Sequence, residues 1–280
     1  MCYGNWSKAI RARATRSTGH AHFLFPKHRG TEDTEVHRGF SNSDSSSVYL
    51  CVLGISVFKP HGLQRAMTPE AHAHLSRRCK VMRRLIRTHG PCGLVPEMKR
   101  SPFQSLVTAV AHQQLNGTAA ETILGRFRAL FPRARFPKPE QIAAVSDETL
   151  RGCGFSRAKV AAIRDIAAKT LDGTVPGSRA IRAMPDEEII ARLVQVRGVG
   201  RWTVEMLLIF KLGRPDVLPI DDFGVRNGYR IAFGLAEMPK PKELLAFGER
   251  WRPHATTAAW YLWRAADAAK EKRAIKGVNA

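Results

Sequence analysis

Two glycines one residue apart, set between two stretches of helical apolar spacing, constrain this chain more than any other feature. Ile189, Ile190, Leu193, Val194 and Val196 form one stripe, and Val204, Leu207, Leu208 and Phe210 form the next. Between them lies Gly198-Val199-Gly200. This pattern predicts a helix, a tight turn with positive φ at the glycines, and a second helix whose free N–H groups point outward. Such a corner suits an anion, for example a phosphate, although a plain helix-helix turn has the same spelling. The residues beyond the second helix add weight: Gly213 as a helix stop, Pro215, Pro219, and then the pair Asp221-Asp222 opening another helix. A carboxylate is thereby delivered a fixed distance from the turn.

Charge narrows the partner. Lysine and arginine exceed aspartate and glutamate by 21 over 280 residues, which favours a polyanion, with nucleic acid ahead of a membrane surface. The five cysteines, Cys2, Cys51, Cys79, Cys92 and Cys153, show no metal or disulfide spacing and read as free thiols of a reducing compartment. His20, His22, His28, His37, His72 and His74 are irregularly placed, so no metal site is expected.

Taken in order, residues 1–66 are polar, basic and serine-rich, a composition that buries too little to fold alone. They are expected to be a disordered tail, with Met67 as an alternative start. The apolar run 48–58 is shorter than the roughly 20 residues a bilayer span needs. From residue 67 to 280 the pattern is helical throughout, and the expected fold is all-α. Leu75, Cys79, Met82, Leu85 and Ile86 suggest one helix stopped by Gly90-Pro91. Ser101-Pro102-Phe103-Gln104 reads as a capping box opening a helix that runs into the polar turn His112-Gln113-Gln114-Leu115-Asn116-Gly117. Gly152-Cys153-Gly154-Phe155-Ser156-Arg157-Ala158-Lys159 is a further corner, given a structural role, with Ser156 as the cap of the helix reaching Leu171.

The 193–203 hairpin together with Leu218-Pro219-Ile220-Asp221-Asp222-Phe223-Gly224-Val225-Arg226 resembles the helix-hairpin-helix and Gly/Pro-Asp signature of the base-excision DNA glycosylases. The 3-methyladenine DNA glycosylase II group is the branch it is most similar to. The resemblance implies two small helical subdomains with the active-site cleft between them and the hairpin at about 189–212. It aligns Asp222 with the catalytic aspartate, leaving Asp221 as helix cap or supporting partner. It makes Gln114 and Leu115 the wedge that fills the hole left by a flipped nucleotide, and Trp202 and Trp263 the aromatic walls of the base pocket. Backbone N–H groups of Gly198 and Gly200 would hold phosphate, with Arg201 and Arg197 adding charge.

Reaction type turns on one position. Relatives that also nick the strand carry a lysine where this chain has Trp202, and an indole forms no Schiff base. The implied enzyme is therefore a monofunctional, intracellular hydrolase acting as a monomer on double-stranded DNA containing alkylated bases, of the 3-methyladenine or 7-methylguanine type. Water is its nucleophile. A carboxylate near C1′ stabilises the positive charge that develops on the sugar, and an indole face attracts a cationic methylated purine. No cofactor is required, no iron-sulfur loop follows Cys153, and a structural monovalent cation on the hairpin carbonyls is compatible with the resemblance. Arg252-Pro253-His254-Ala255-Thr256 departs from the family's usual Arg-Pro-aromatic-Arg-Ser. Two rivals remain at this point: a non-catalytic helix-hairpin-helix DNA-binding protein, and a glycosylase for mismatched or oxidised bases.

Overall fold

The computed structural model describes residues 69–278, and the expectations for residues 1–66 lie outside that range. Among the described residues every regular element is helical and no strand occurs. None of these helices is long and apolar enough to cross a membrane.

The first expected helix is two: α1 (Pro69–Arg78) and α2 (Lys80–His89), broken at Cys79, whose backbone is extended at φ −150°. The apolar spacing runs through the break because the two helices bury a shared face, so periodicity alone conceals it. Next come α3 (Pro102–His112), α4 (Gly117–Ala129), α5 (Pro139–Ala144), α6 (Asp147–Gly152), α7 (Arg157–Leu171), α8 (Ser178–Ala183) and α9 (Asp186–Leu193). Serine and asparagine caps set several starts: Ser101, Asn116, Ser146 and Ser156 each accept an N–H three residues on. α10 (Arg201–Leu207) widens into a π-helical turn, Leu208–Leu212, which ends at left-handed Gly213. α11 (Phe223–Phe233), α12 (Pro241–Gly248) and α13 (Ala255–Val278) complete the chain.

These helices pack as two groups, joined by one continuous hydrophobic core. The middle of the sequence makes one, in which α3 packs on α4, α7 and α10, α5 on α7, and α9 on α10. Both ends make the other: α1 packs on α2, and α2 packs on α11 and α13. The α11–α13 crossing is close because Gly228 has no side chain, and a Cβ there would sit 1.9 Å from the Leu262 carbonyl oxygen. Trp251, Tyr261 and Leu262 are fully buried beside it. The hairpin belongs to the middle group and the Asp222 cap of α11 to the terminal group, so their meeting line is the cleft that the resemblance implies.

Candidate active site

A cavity of about 590 Å³ opens along that line. Its walls come from four places: Gln113 and Gln114 after α3, Ser156 and Lys159 at the start of α7, Gly198 to Thr203 at the hairpin, and Asp221 to Phe223.

Asp222 is buried at 3% exposure and is itself the N-cap of α11. Its Oδ1 accepts the Val225 N–H at 2.7 Å and the Trp263 indole N–H at 2.8 Å. Its Oδ2 accepts the Trp202 indole N–H at 2.8 Å. Three N–H donors from three elements thus fix the carboxyl plane at the cavity wall, and charge-assisted bonds of this kind are strong. Of the two roles expected for Asp221, helix cap or supporting partner, the structure gives the cap to Asp222, which also faces the cavity, while Asp221 is exposed at its rim. Capping and chemistry are not rivals here, since one oxygen serves the helix while the other is shared with Trp202.

The two tryptophans separate in position. Trp202 is half-buried and lines the cavity. Trp263 is only 2% exposed, stacks on Phe210 at 5.5 Å and 27°, and supports the carboxylate from behind. Gly224, which sequence reasoning misses, makes room for this arrangement. A Cβ there would meet Trp263 Cδ1 at 2.9 Å and Asp222 Oδ1 at 3.1 Å. The only signal for it is a glycine inside a helix's first turn. Trp251 and Trp260 are core residues.

At the hairpin, Gly198 takes a left-handed φ of 76°, and its Cα packs so close to α7 that a Cβ would lie 3.1 Å from that of Ala162. Gly200 does not share the expected positive φ: it is the extended N-cap of α10 at φ −91°. Both are exposed, and their N–H groups donate to no protein atom among the described residues. Arg201 is differently engaged. Its guanidinium bridges Glu187 at 2.9 Å and Glu205 at 3.1 Å, so it is already engaged by two acidic side chains. Burial pushes the Glu205 carboxyl up to about 7, against the pull of Arg201. The Arg197 side chain is exposed, and its backbone N–H donates to Asp165 at 2.7 Å.

In the α3–α4 turn, Gln114 is exposed with φ 58°, the one non-glycine residue with positive φ among those described. Leu115 beside it is half-buried. Gln113, in the same polar turn, and Lys159, which the sequence places in a structural corner, both reach into this region. No group of three or more His, Cys, Asp or Glu side chains among the described residues is arranged to hold a metal.

An all-helical, two-part fold with a hairpin facing a capped, buried aspartate defines a helix-hairpin-helix protein built around a carboxylate. Residues 107–253 match the HhH-GPD superfamily of base excision DNA repair proteins, and the chain belongs to that superfamily. Its sequence is 39% identical over 208 residues to DNA-3-methyladenine glycosylase 1 of Schizosaccharomyces pombe, covering 74% of this chain and 91% of that one. The solved structure of the S. pombe 3-methyladenine DNA glycosylase in complex with abasic DNA superposes with a TM-score of 0.64 at 41% identity, over 70% of this chain and 95% of that one. A DNA-3-methyladenine glycosidase from Bacillus halodurans gives 0.65 at 34% identity, over 73% and 92%.

Proposed function

We propose that this protein is a monofunctional DNA glycosylase that hydrolyses the N-glycosidic bond of alkylated bases in base excision repair. The observation that carries the reading is the Asp222 carboxylate, held at the cavity wall by two indole N–H groups and a helix N-terminus, opposite a hairpin with free backbone donors. The names and folds of the relatives support it.

Each residue takes a physical role. Backbone N–H groups of Gly198 and Gly200 grip a DNA phosphate, and Arg201, being paired with Glu187 and Glu205, contributes little to that grip. Gln114 and Leu115 enter the stack as the lesion leaves it. The half-buried Trp202 offers an indole face to a purine methylated at N3 or N7, whose positive charge the ring quadrupole attracts. The C1′–N bond then breaks, its electron pair departing with a base that is already a good leaving group. Asp222 stabilises the cationic sugar and orients the water that adds to C1′, accepting its proton. Trp263 keeps Asp222 in place and serves the base pocket only through it.

Because Trp202 stands where a lysine nucleophile would be needed, the product is an abasic site in an intact strand. No step needs a cofactor. A structural monovalent cation on the hairpin carbonyls is compatible with this reading but no step depends on it. On this reading the glycosylase domain spans residues 67–280, with the hairpin at 189–212, and works inside the cell as a monomer on double-stranded DNA. Incubating the protein with methylated duplex DNA tests it. Free methylated base, with strands intact until alkali breaks abasic sites, is expected. DNA binding with no base released would leave only a binding protein.

A further inference from the structure

We propose that Gln113 and Lys159 are positioning residues that pin the wedge turn to the phosphate hairpin, making nucleotide displacement and backbone grip one rigid unit. This rests on the glycosylase reading above and assigns a positioning role to two residues of the cavity wall.

The turn after α3 is conformationally costly. Gln114 holds a left-handed backbone without being glycine, and such a conformation persists only where its surroundings over-determine it. Lys159 supplies part of that surrounding. Its ammonium donates to the Ala111 carbonyl at 2.8 Å and the Gln113 carbonyl at 2.7 Å. These are carbonyls at the end of a helix, where free acceptors and the negative end of the dipole await a cation. Lys159 has no carboxylate within ion-pair distance among the described residues, and burial lowers its pKa, so its bonds go to the turn. Gln113 completes the connection from the other side, donating its Nε2 to the Gly198 carbonyl at 2.9 Å.

α7 is the strut behind both. Lys159, Ala162 and Asp165 recur every three residues along one side of it. Lys159 holds the wedge turn, Ala162 packs under Gly198, and Asp165 accepts the Arg197 N–H at 2.7 Å. One helix face therefore fixes the spacing between the residues that enter the base stack and the N–H groups that grip phosphate. A wedge misplaced by even an ångström fills the hole poorly, and misplacement of that size costs up to about 100-fold in rate.

The test uses full-length Gln113→Ala and Lys159→Met proteins and one alkylated base in two settings, paired in a duplex and unpaired in a bulge. An unpaired base has little stacking left to lose, so it needs the wedge least. Excision of the paired lesion is expected to fall about 10- to 100-fold in each variant. The double variant should fall little further, because both residues hold the same turn. Bulge excision should stay within about threefold of wild type. Gln113 is half-buried, so its truncation leaves the core intact and guards against a folding failure of the lysine variant. Equal losses on both substrates would overturn the proposal, as would no loss on the paired one. A loss on both with the salt slope reduced by about 0.9 would make Lys159 a phosphate contact instead. Wild type inactive on both substrates would sink the glycosylase reading and this latch with it.

Discussion

Trp263→Phe isolates what the indole N–H does for Asp222. Phenylalanine keeps an aromatic ring to stack on Phe210, whose ring lies 5.5 Å from the indole, but removes the donor 2.8 Å from Oδ1. The Val225 and Trp202 N–H groups remain, so the carboxyl loses one of three restraints. A hydrogen bond to a charged acceptor is worth about 1.5–3 kcal/mol. If that restraint serves the transition state, the single-turnover rate at saturating enzyme falls about 10- to 150-fold, at 1.36 kcal/mol per decade. Trp263 lies behind the carboxylate at 2% exposure, so affinity for lesion DNA should hold within about twofold. Trp202→Phe, by contrast, removes a donor and trims a cavity wall, and should weaken rate and affinity together. Single-turnover excision and fluorescence-anisotropy binding on one methylated duplex read both quantities. A Trp263→Phe enzyme with unchanged rate, or one whose whole defect is in affinity, would refute the division of labour between the two indoles.

Three further outcomes rest on the same geometry. Gly228→Ala places a methyl carbon 1.9 Å from the Leu262 carbonyl oxygen, and stability measured in urea should drop by about 3 kcal/mol or more; a drop below about 1 kcal/mol would mean α11 and α13 part easily. Glu205 carries a folded pKa raised from 4.5 to about 7, so its stabilising contribution is full below 4.5 and is lost as pH rises through 7. Glu205→Gln cannot ionise, and the Tm of wild type should fall relative to this variant between about pH 5 and about pH 8; parallel curves would count against it. Arg201→Gln should leave the slope of log affinity against log salt nearly unchanged, because Glu187 and Glu205 already hold the guanidinium. A slope reduced by about 0.9 would instead establish a phosphate contact.

What the sequence reveals and what it hides divide along the range of the interactions. The hairpin, the serine caps and the aspartate before α11 are short-range signals, each complete within about ten residues, and the all-α class is their sum. Asp222 stands out in the sequence for that reason. Which of Asp221 and Asp222 caps the helix stays open on sequence alone, because two adjacent aspartates spell the same signal and only the backbone decides between them. Long-range partners leave no trace. Arg201 looks like a free cation beside a hairpin until Glu187, 14 residues earlier, turns out to reach it across the turn. Lys159 reads as part of a corner motif, since nothing near it in sequence points 46 residues back to Gln113. Trp263 lies within hydrogen-bond distance of Asp222, and its depth depends on Gly224 and Phe210, which lie on two other elements.

The central claim is that Asp222 carries the reaction while the hairpin carries the binding. Base release from methylated duplex DNA by Asp222→Asn, measured beside its DNA affinity and Tm, tests this most directly. Asparagine turns an NH₂ toward at least one of the three donors, so the Tm confirms that the cleft survives the change. The account predicts affinity near that of wild type and base release lowered by at least about 100-fold. Release at the wild-type rate by a folded Asp222→Asn protein would contradict it.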